Sequence, residues 1–195
     1  GLQVHSESRD EAVAGQRTAV NLPNLEVSQI HRGMEISVPE RFSPVPAWDA
    51  RIELLDTSPV SISRKTSLRL HHGTSEIVAV LRPVGLRQIQ RGGIGFVRVA
   101  LDRPVLALPG DRFIIRQLSP AVTLGGGTIL DIDPAKNRKL SSQDRIEWLE
   151  SLRPLDPREM LYSCVKRCAA LGMTEPQMLS QVARRPRCAR AGRRA

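Results

Sequence analysis

The feature that most constrains the fold is a series of short apolar segments between residues 50 and 132, separated by turn residues and not by helices. The segments are Ala50–Leu55, Ser67–His71, Glu76–Leu81, Gly95–Leu101, Arg112–Gln117 and Thr128–Ile132. The turn signals between them are His72-Gly73-Thr74, Gly92-Gly93, Pro109-Gly110-Asp111 and Gly125-Gly126-Gly127. Because a parallel pair needs a long crossover, usually a helix, the pattern predicts an antiparallel β-barrel.

The sequence around this region divides the chain into further parts. Residues 1–38 contain short β-like segments and indicate the end of a β-domain, and residues 39–48 carry three prolines that predict an extended linker. The barrel is predicted over residues 49–133, a helical part over residues 134–183, and a disordered arginine-rich tail over residues 184–195. The predicted fold is therefore mainly β with a C-terminal α part.

Helical periodicity begins after Asp133-Pro134 and predicts three helices. The first is capped by Ser142 and places Ile146, Leu149 and Leu152 on one face. The second runs from Arg158 to Leu171, with Leu161, Val165 and Cys168 inward and Gly172 at its end. The third begins at the capping box Thr174–Gln177, with Leu179 and Val182 inward, so the last two helices form a helix-turn-helix arrangement.

Charge points to a nucleic-acid partner. Lysine and arginine number 29 against 20 acidic residues, a net charge of +9. Arginine, which binds phosphate through two parallel hydrogen bonds, supplies most of the excess. The alternative is that this charge only keeps the protein in solution.

Cysteine usage and hydropathy indicate the compartment. The three cysteines, Cys164, Cys168 and Cys188, all lie late in the chain, which does not fit a disulfide-stapled secreted domain. No apolar run is long enough for a membrane span, and the first residues lack the pattern of a signal peptide. We expect a cytoplasmic protein, and we expect this chain, which begins without methionine, to be a fragment of a longer one.

The segment Ile94–Asp131 carries three motifs in a characteristic order: Asp102-Arg103-Pro104, then Pro109–Arg116, then Thr123–Gly127. In this order they resemble the last part of the third domain of elongation factor Tu relatives. The hairpin Leu70–Glu76 and the segment Ala14–Leu22 extend the resemblance over roughly residues 1 to 133. The His-Gly-Thr sequence of this hairpin, the triple glycine Gly125–Gly127 and the helical sequence that follows favour the SelB-type, selenocysteine-specific elongation factors.

This resemblance implies two elongation factor Tu-like barrels, the first only a remnant, followed by the start of a winged-helix arm. It implies that the intact protein carries selenocysteinyl-tRNA to the ribosome as a GTP complex, while the arm binds the selenocysteine insertion hairpin of the mRNA. GTP and Mg²⁺ would bind to a GTPase domain that this chain lacks.

The departures from the family pattern also carry predictions. No G-x-x-x-x-G-K-[ST] phosphate loop occurs, so we expect this chain by itself neither to bind nor to hydrolyse GTP and to need no cofactor. Val122 stands where a basic residue is frequent in elongation factor Tu relatives, and the winged-helix sequence stops before a wing.

Candidate RNA-binding residues lie on the predicted barrel strands and beside the glycine-rich stretch. They are Arg69, His71, Arg98, Arg112, Arg116, Thr123, Gly125, Gly126 and Gly127. The alternatives are that each arginine is a solvated surface charge and that the glycines only form tight turns or bulges at the barrel rim. His71 and His72 point to opposite faces of a strand, so a shared metal is not expected, and one of the two is predicted to be structural.

Neither a metal site nor a catalytic site is predicted. Cys164 and Cys168 share a helix face, but no fourth ligand has a suitable spacing, so burial as small apolar residues is favoured. No nucleophile with its base, and no pair of acids at a characteristic spacing, occurs. Two other readings remain open: another translational GTPase relative, such as a general elongation factor or the gamma subunit of an initiation factor, and a standalone basic RNA-binding protein.

Overall fold

The computed structural model describes residues 1–37, 39, 41–134, 140–153, 156–168 and 174–183. The chain divides into two compact units, and the described part of the first is Gly1–Arg32 while the second is Gly33–Arg184. The predicted tail, residues 184–195, and the predicted helix end at Gly172 lie outside the described residues.

The first unit is a small antiparallel sheet. Its strands are β1 (Leu2–Val4), β2 (Glu7–Arg9) and β3 (Thr18–Val20), in the order β2-β1-β3. A tight turn through His5 and Ser6, both with positive φ, joins β1 to β2. A single 3₁₀ turn follows at Val27–Gln29, and Glu26 and Gln29 cap each other's backbone there.

The second unit contains a closed six-stranded barrel, which confirms the predicted antiparallel architecture. Its strands are β4 (Val45–Leu54), β5 (Thr66–His72), β6 (Ser75–Pro83), β7 (Ile94–Val105), β8 (Arg112–Arg116) and β9 (Thr123–Asp131). They pair in the order β4-β7-β6-β5-β8-β9, and β9 closes on β4. The core is filled by alternate side chains of every strand, with Trp48, Ile52, Leu68, Leu70, Ile115 and Ile129 among the fully buried ones.

Two strands, β4 and β9, begin five residues earlier than predicted. Strand β4 begins at Val45, so residues 45–48 of the predicted linker already belong to the barrel. Pro46 is tolerated because the pairing with β7 shifts register between Val45 and Ala47, where no ladder hydrogen bond from Pro46 is needed. Strand β9 begins at Thr123, so Gly125–Gly127, predicted to be a turn at the rim, lie inside a strand.

Within the described residues, three helices follow the barrel, as predicted: α1 (Ser142–Leu152), α2 (Pro157–Cys168) and α3 (Glu175–Val182). The N-cap of α1 is Ser141 and not Ser142, and its side chain accepts a hydrogen bond from the Asp144 amide at 3.1 Å. The turn between α2 and α3 lies outside the described residues. No helix in the described part of the chain is long and apolar enough to cross a membrane.

The helices pack on the outside of the barrel through a second apolar cluster. Val84, Phe96 and Leu130 supply its barrel side, and the buried Leu149, Leu152 and Met160 supply its helical side. In α1 the inward face is the predicted one. In α2 it is shifted by one position: Met160 and Cys164 are buried, whereas Leu161 and Val165, predicted to point inward, are exposed.

Candidate RNA-binding face of the barrel

The outward side of strands β6, β5, β8 and β9 brings most of the candidate residues together. Because Leu68, Leu70 and His72 point into the barrel, Arg69 and His71 between them point outward. The same alternation buries Phe113 and Ile115 of β8 and turns Arg112, Ile114 and Arg116 outward. We call this surface the β5/β8 face: Arg69, His71, Val78, Arg112, Ile114, Arg116 and Thr123.

Strand register places these side chains in rows. Arg69 pairs with Val78 of β6 on one side and with Arg116 of β8 on the other, and Arg116 pairs in turn with Thr123. In the next row His71 pairs with Ile114. Directly paired residues have Cβ atoms about 5 Å apart, so Arg69, Arg116 and Thr123 form one continuous line across three strands.

Each charged residue of this face has a different local environment. Arg69 forms an ion pair with Glu76 at 2.8 Å, and the same carboxylate lies 4.0 Å from His71 Nδ1. Arg116 Nη2 donates to the Ala121 carbonyl at 2.6 Å, which holds the guanidinium beside the β8–β9 loop. Arg112 is exposed and, among the described residues, makes no ion pair, so its charge is the most available to a ligand.

The face is also partly apolar. Ile114 is 51% exposed and Val78 is 43% exposed, although both stand among charged neighbours. An arginine row beside apolar side chains suits a partner that offers phosphate together with sugar or base surface.

Arg98 does not belong to this face. It lies on β7 beneath the helices, where its Nε and Nη2 donate to the two carboxylate oxygens of Asp49 at 2.8 and 2.9 Å. The same Nη2 also donates to the Pro134 carbonyl at 2.9 Å. The structure therefore gives Arg98 a partner within the protein and separates it from the other candidate residues.

Asp49 is the centre of a buried polar network that the sequence analysis missed. Its side chain is fully buried, with Arg98 paired to it and Arg145 of α1 within 3.8 Å. Burial raises the pKa of Asp49, and the hydrogen bonds and charge of Arg98 act in the opposite direction. Burial lowers the pKa of Arg145, while the negative charge of Asp49 acts to raise it.

A second carboxylate extends this network to the helix. Asp131, at the end of β9, accepts a hydrogen bond from Trp148 Nε1 at 2.9 Å and from the Asp133 amide at 2.8 Å. In the sequence, both Asp49 and Asp131 stand out only as acids among apolar strand residues. Their partners are distant along the chain: Arg98 is 49 residues from Asp49, and Trp148 is 17 residues from Asp131. These contacts fix α1 to the barrel.

The three glycines are explained by the strands beside them. A Cβ atom on Gly125 would lie 2.1 Å from the Glu53 carbonyl oxygen, and one on Gly127 would lie 2.6 Å from that of Arg51. Gly126 is crowded from the other side, by the Phe113 carbonyl at 2.8 Å. The glycines thus allow β9 to lie between β4 and β8. Glycine is needed here because the neighbouring backbones leave no space for a Cβ atom.

His72 is the structural histidine of the pair. It is buried, and its Nε2 lies 2.9 Å from Asp111 Oδ2, which also accepts the Leu108 amide hydrogen bond at 3.0 Å. The rings of Trp48 and Phe113 pack in the same part of the core, 5.9 Å apart. Cys164 is buried, as predicted, while the Cys168 side chain and Cys188 lie outside the described part of the structure.

Comparison with known proteins identifies the barrel. Residues 49–136 match the family model described as the β-barrel domain of the selenocysteine-specific elongation factor. The chain contains the β-barrel domain of this SelB-type family. The match spans all six strands of the barrel except the first four residues of β4, and it confirms the resemblance inferred from the motifs.

Relatives extend the SelB-type match beyond the barrel. A selenocysteine-specific elongation factor of Desulfomicrobium baculatum is 34% identical over 178 residues, which are 91% of this chain and 28% of the relative. That of Haemophilus influenzae is 24% identical over 77% of this chain and 24% of the relative. The chain therefore spans about a quarter of the length of these relatives.

A solved structure agrees on the fold. The crystal structure of a bacterial selenocysteine-specific elongation factor, EF-Sec, superimposes with a TM-score of 0.71. The superposition covers 93% of this chain and 28% of the other, at 18% sequence identity. This likeness supports the mainly β architecture with C-terminal helices.

Proposed function

We propose that this chain is the RNA-binding part of a SelB-type factor that delivers selenocysteinyl-tRNA to the ribosome in the cytoplasm. The observation that carries this proposal is the 34% identity to a selenocysteine-specific elongation factor over 91% of the chain. In the complete protein a GTPase domain outside this chain would bind GTP and Mg²⁺ and would drive delivery.

The β5/β8 face is the proposed tRNA contact. Its support is the alignment of Arg69 and Arg116 with Thr123 across paired strands, together with the exposed guanidinium of Arg112. Guanidinium groups bind phosphate oxygens through charge-assisted hydrogen bonds, and Thr123 adds a hydroxyl. The helical part, α1 to α3, is proposed to begin the arm that binds the selenocysteine insertion hairpin of the mRNA.

Selective binding of selenocysteine tRNA tests the proposed function. We expect the chain to bind this tRNA more tightly than an ordinary elongator tRNA, and we expect the preference to persist when salt is raised from 50 to 200 mM. Non-specific contacts weaken steeply over this range because bound counterions are released on association. Fluorescence anisotropy titrations at the two salt concentrations measure both affinities.

The competing readings give different results in the same titration. Equal affinity for the two tRNAs that disappears at 200 mM salt would indicate a standalone basic protein and would contradict the proposal. A preference for the elongator tRNA would indicate a general elongation factor.

Arg112 provides the cleanest test of the β5/β8 face. Arg112→Gln is expected to weaken selenocysteine tRNA binding roughly threefold to tenfold and to reduce the slope of log affinity against log salt by about one. Folding should be unaffected because the side chain is exposed. The matched control is Arg17→Gln, an exposed arginine of the first unit that belongs to no proposed contact. Equal effects of the two substitutions on affinity would exclude Arg112 from the contact.

A further inference from the structure

The end of the barrel at which β4 and β6 finish is closed by two loops. Residues 55–65 connect β4 to β5, and residues 84–93 connect β6 to β7. Both loops leave the barrel at the same end because Glu53 pairs with Ile94 and the Leu54 amide donates to the Gly93 carbonyl at 3.0 Å. We call the two loops together the barrel cap.

Backbone and side-chain contacts hold the barrel cap together. Ile62 and Ile89 exchange two backbone hydrogen bonds, at 3.0 and 2.8 Å, and both side chains are buried in the barrel core. Ser61 Oγ adds a hydrogen bond to Gln90 Oε1 at 3.2 Å. The two loops are therefore tied to each other and to the core at this bridge.

Four exposed cations lie within three residues of this bridge along the chain. Arg64 and Lys65 follow Ile62, while Arg87 and Arg91 flank Ile89, and all four are exposed. Arg64, Arg87 and Arg91 each stand two residues from a bridge partner along the chain, and Lys65 stands three residues away. Like charges held close together repel one another, and a bound anion would relieve this repulsion.

Acidic groups do not neutralise the barrel cap. Its sequence contains one acid, Asp56, whose carboxylate packs against Gly92. Within the described chain, none of the four cations makes an ion pair or a side-chain hydrogen bond. On the β5/β8 face, by contrast, Arg69 forms an ion pair with Glu76.

We propose that the barrel cap is a second RNA contact, which binds the phosphate backbone without reading sequence. Three of its four cations are arginines, which suit bidentate phosphate binding better than lysine. Its sequence holds no aromatic side chain on which a base could stack, so recognition of bases is not expected. The inference rests on the proposed function, because it assigns a further contact to the same RNA-binding protein.

Two double substitutions test the barrel cap in the 195-residue chain. Arg64→Gln with Lys65→Gln, and Arg87→Gln with Arg91→Gln, are each expected to lower affinity for the RNA that the barrel cap contacts, tRNA or ribosomal RNA, roughly tenfold at 50 mM salt and to reduce the salt slope by about one and a half. Selenocysteine tRNA and elongator tRNA should lose affinity equally, so their affinity ratio should stay unchanged. The control is Arg17→Gln with Arg41→Gln, which removes the same charge outside the barrel cap.

A ribosome co-sedimentation assay with the same variants distinguishes the source of the phosphate. A loss of ribosome binding with unchanged tRNA affinity would assign the barrel cap to ribosomal RNA, and the reverse would assign it to tRNA. The proposal is overturned if both affinities match the control variant, or if the loss is confined to one tRNA. Neither result bears on the proposed function, which is tested by the affinity ratio of the unsubstituted chain.

Discussion

Gly125→Ala is expected to destabilise the barrel by at least about 3 kcal/mol, enough to leave much of the protein unfolded. The added methyl group would lie 2.1 Å from the Glu53 carbonyl oxygen and 3.0 Å from the Leu54 Cα. Both are backbone atoms of β4, so relief requires that β9 move away from the strand on which it closes the barrel. Urea denaturation followed by circular dichroism measures the loss.

Two further substitutions make this test specific to close approach. Gly126→Ala should cost less, since its nearest atom, the Phe113 carbonyl oxygen, is 2.8 Å away. Gly1→Ala, with nothing within 4 Å, should leave stability unchanged. If Gly125→Ala unfolds at the same urea concentration as the parent, the strand spacing around β9 does not depend on glycine.

Arg98→Met is expected to cost about 3 kcal/mol of stability at neutral pH, because it leaves the buried Asp49 carboxylate without its paired cation. Arg145 would remain, but its Nε is 3.8 Å from the carboxylate, against 2.8 Å for Arg98 Nε. The matched control is Arg153→Met: Arg153 forms an exposed ion pair with Glu150, and its loss should cost less than about 1 kcal/mol.

The destabilisation by Arg98→Met should depend on pH. Burial already raises the pKa of Asp49 above its ordinary value, and loss of Arg98 raises it further. A carboxyl whose pKa is higher in the folded than in the unfolded state favours folding at low pH, and this contribution is lost as pH rises through the folded-state pKa. The stability difference from the parent should therefore shrink between pH 7.5 and pH 5. A difference that is constant over this range would mean that lost packing, and not an unpaired charge, causes the effect.

The barrel could be predicted from the sequence because its strands carry local signals. Alternating apolar residues and Gly- or Pro-containing turns marked all six strands, and their boundaries differed mainly where an unusual residue stood inside a strand. Pro46 and Gly125–Gly127 were interpreted as linker and turn because both residue types usually interrupt strands. Their actual tolerance depends on a register shift and on neighbouring strands, which are non-local properties.

The candidate site was predicted less completely, for the same physical reason. Strand alternation correctly indicates that Arg69 and Arg116 share a type of position, but it cannot show that they are paired. Strand alternation also cannot show that helix α1 covers the side of the barrel on which Arg98 lies. There Arg98 and Arg145 both lie beside Asp49. An arginine on the barrel surface is available to a ligand only where the C-terminal helices leave that side of the strands uncovered.

The attachment of α1 has a consequence for movement. Trp148 is hydrogen-bonded to Asp131, and Arg145 lies beside Asp49, while Leu149 is buried against the barrel. For α1 to swing away, two carboxylates would lose their partners and the apolar cluster would open to water in the same step. The barrel and helix α1 are therefore expected to move as one body, so a displacement of α1 would carry the barrel strands with it.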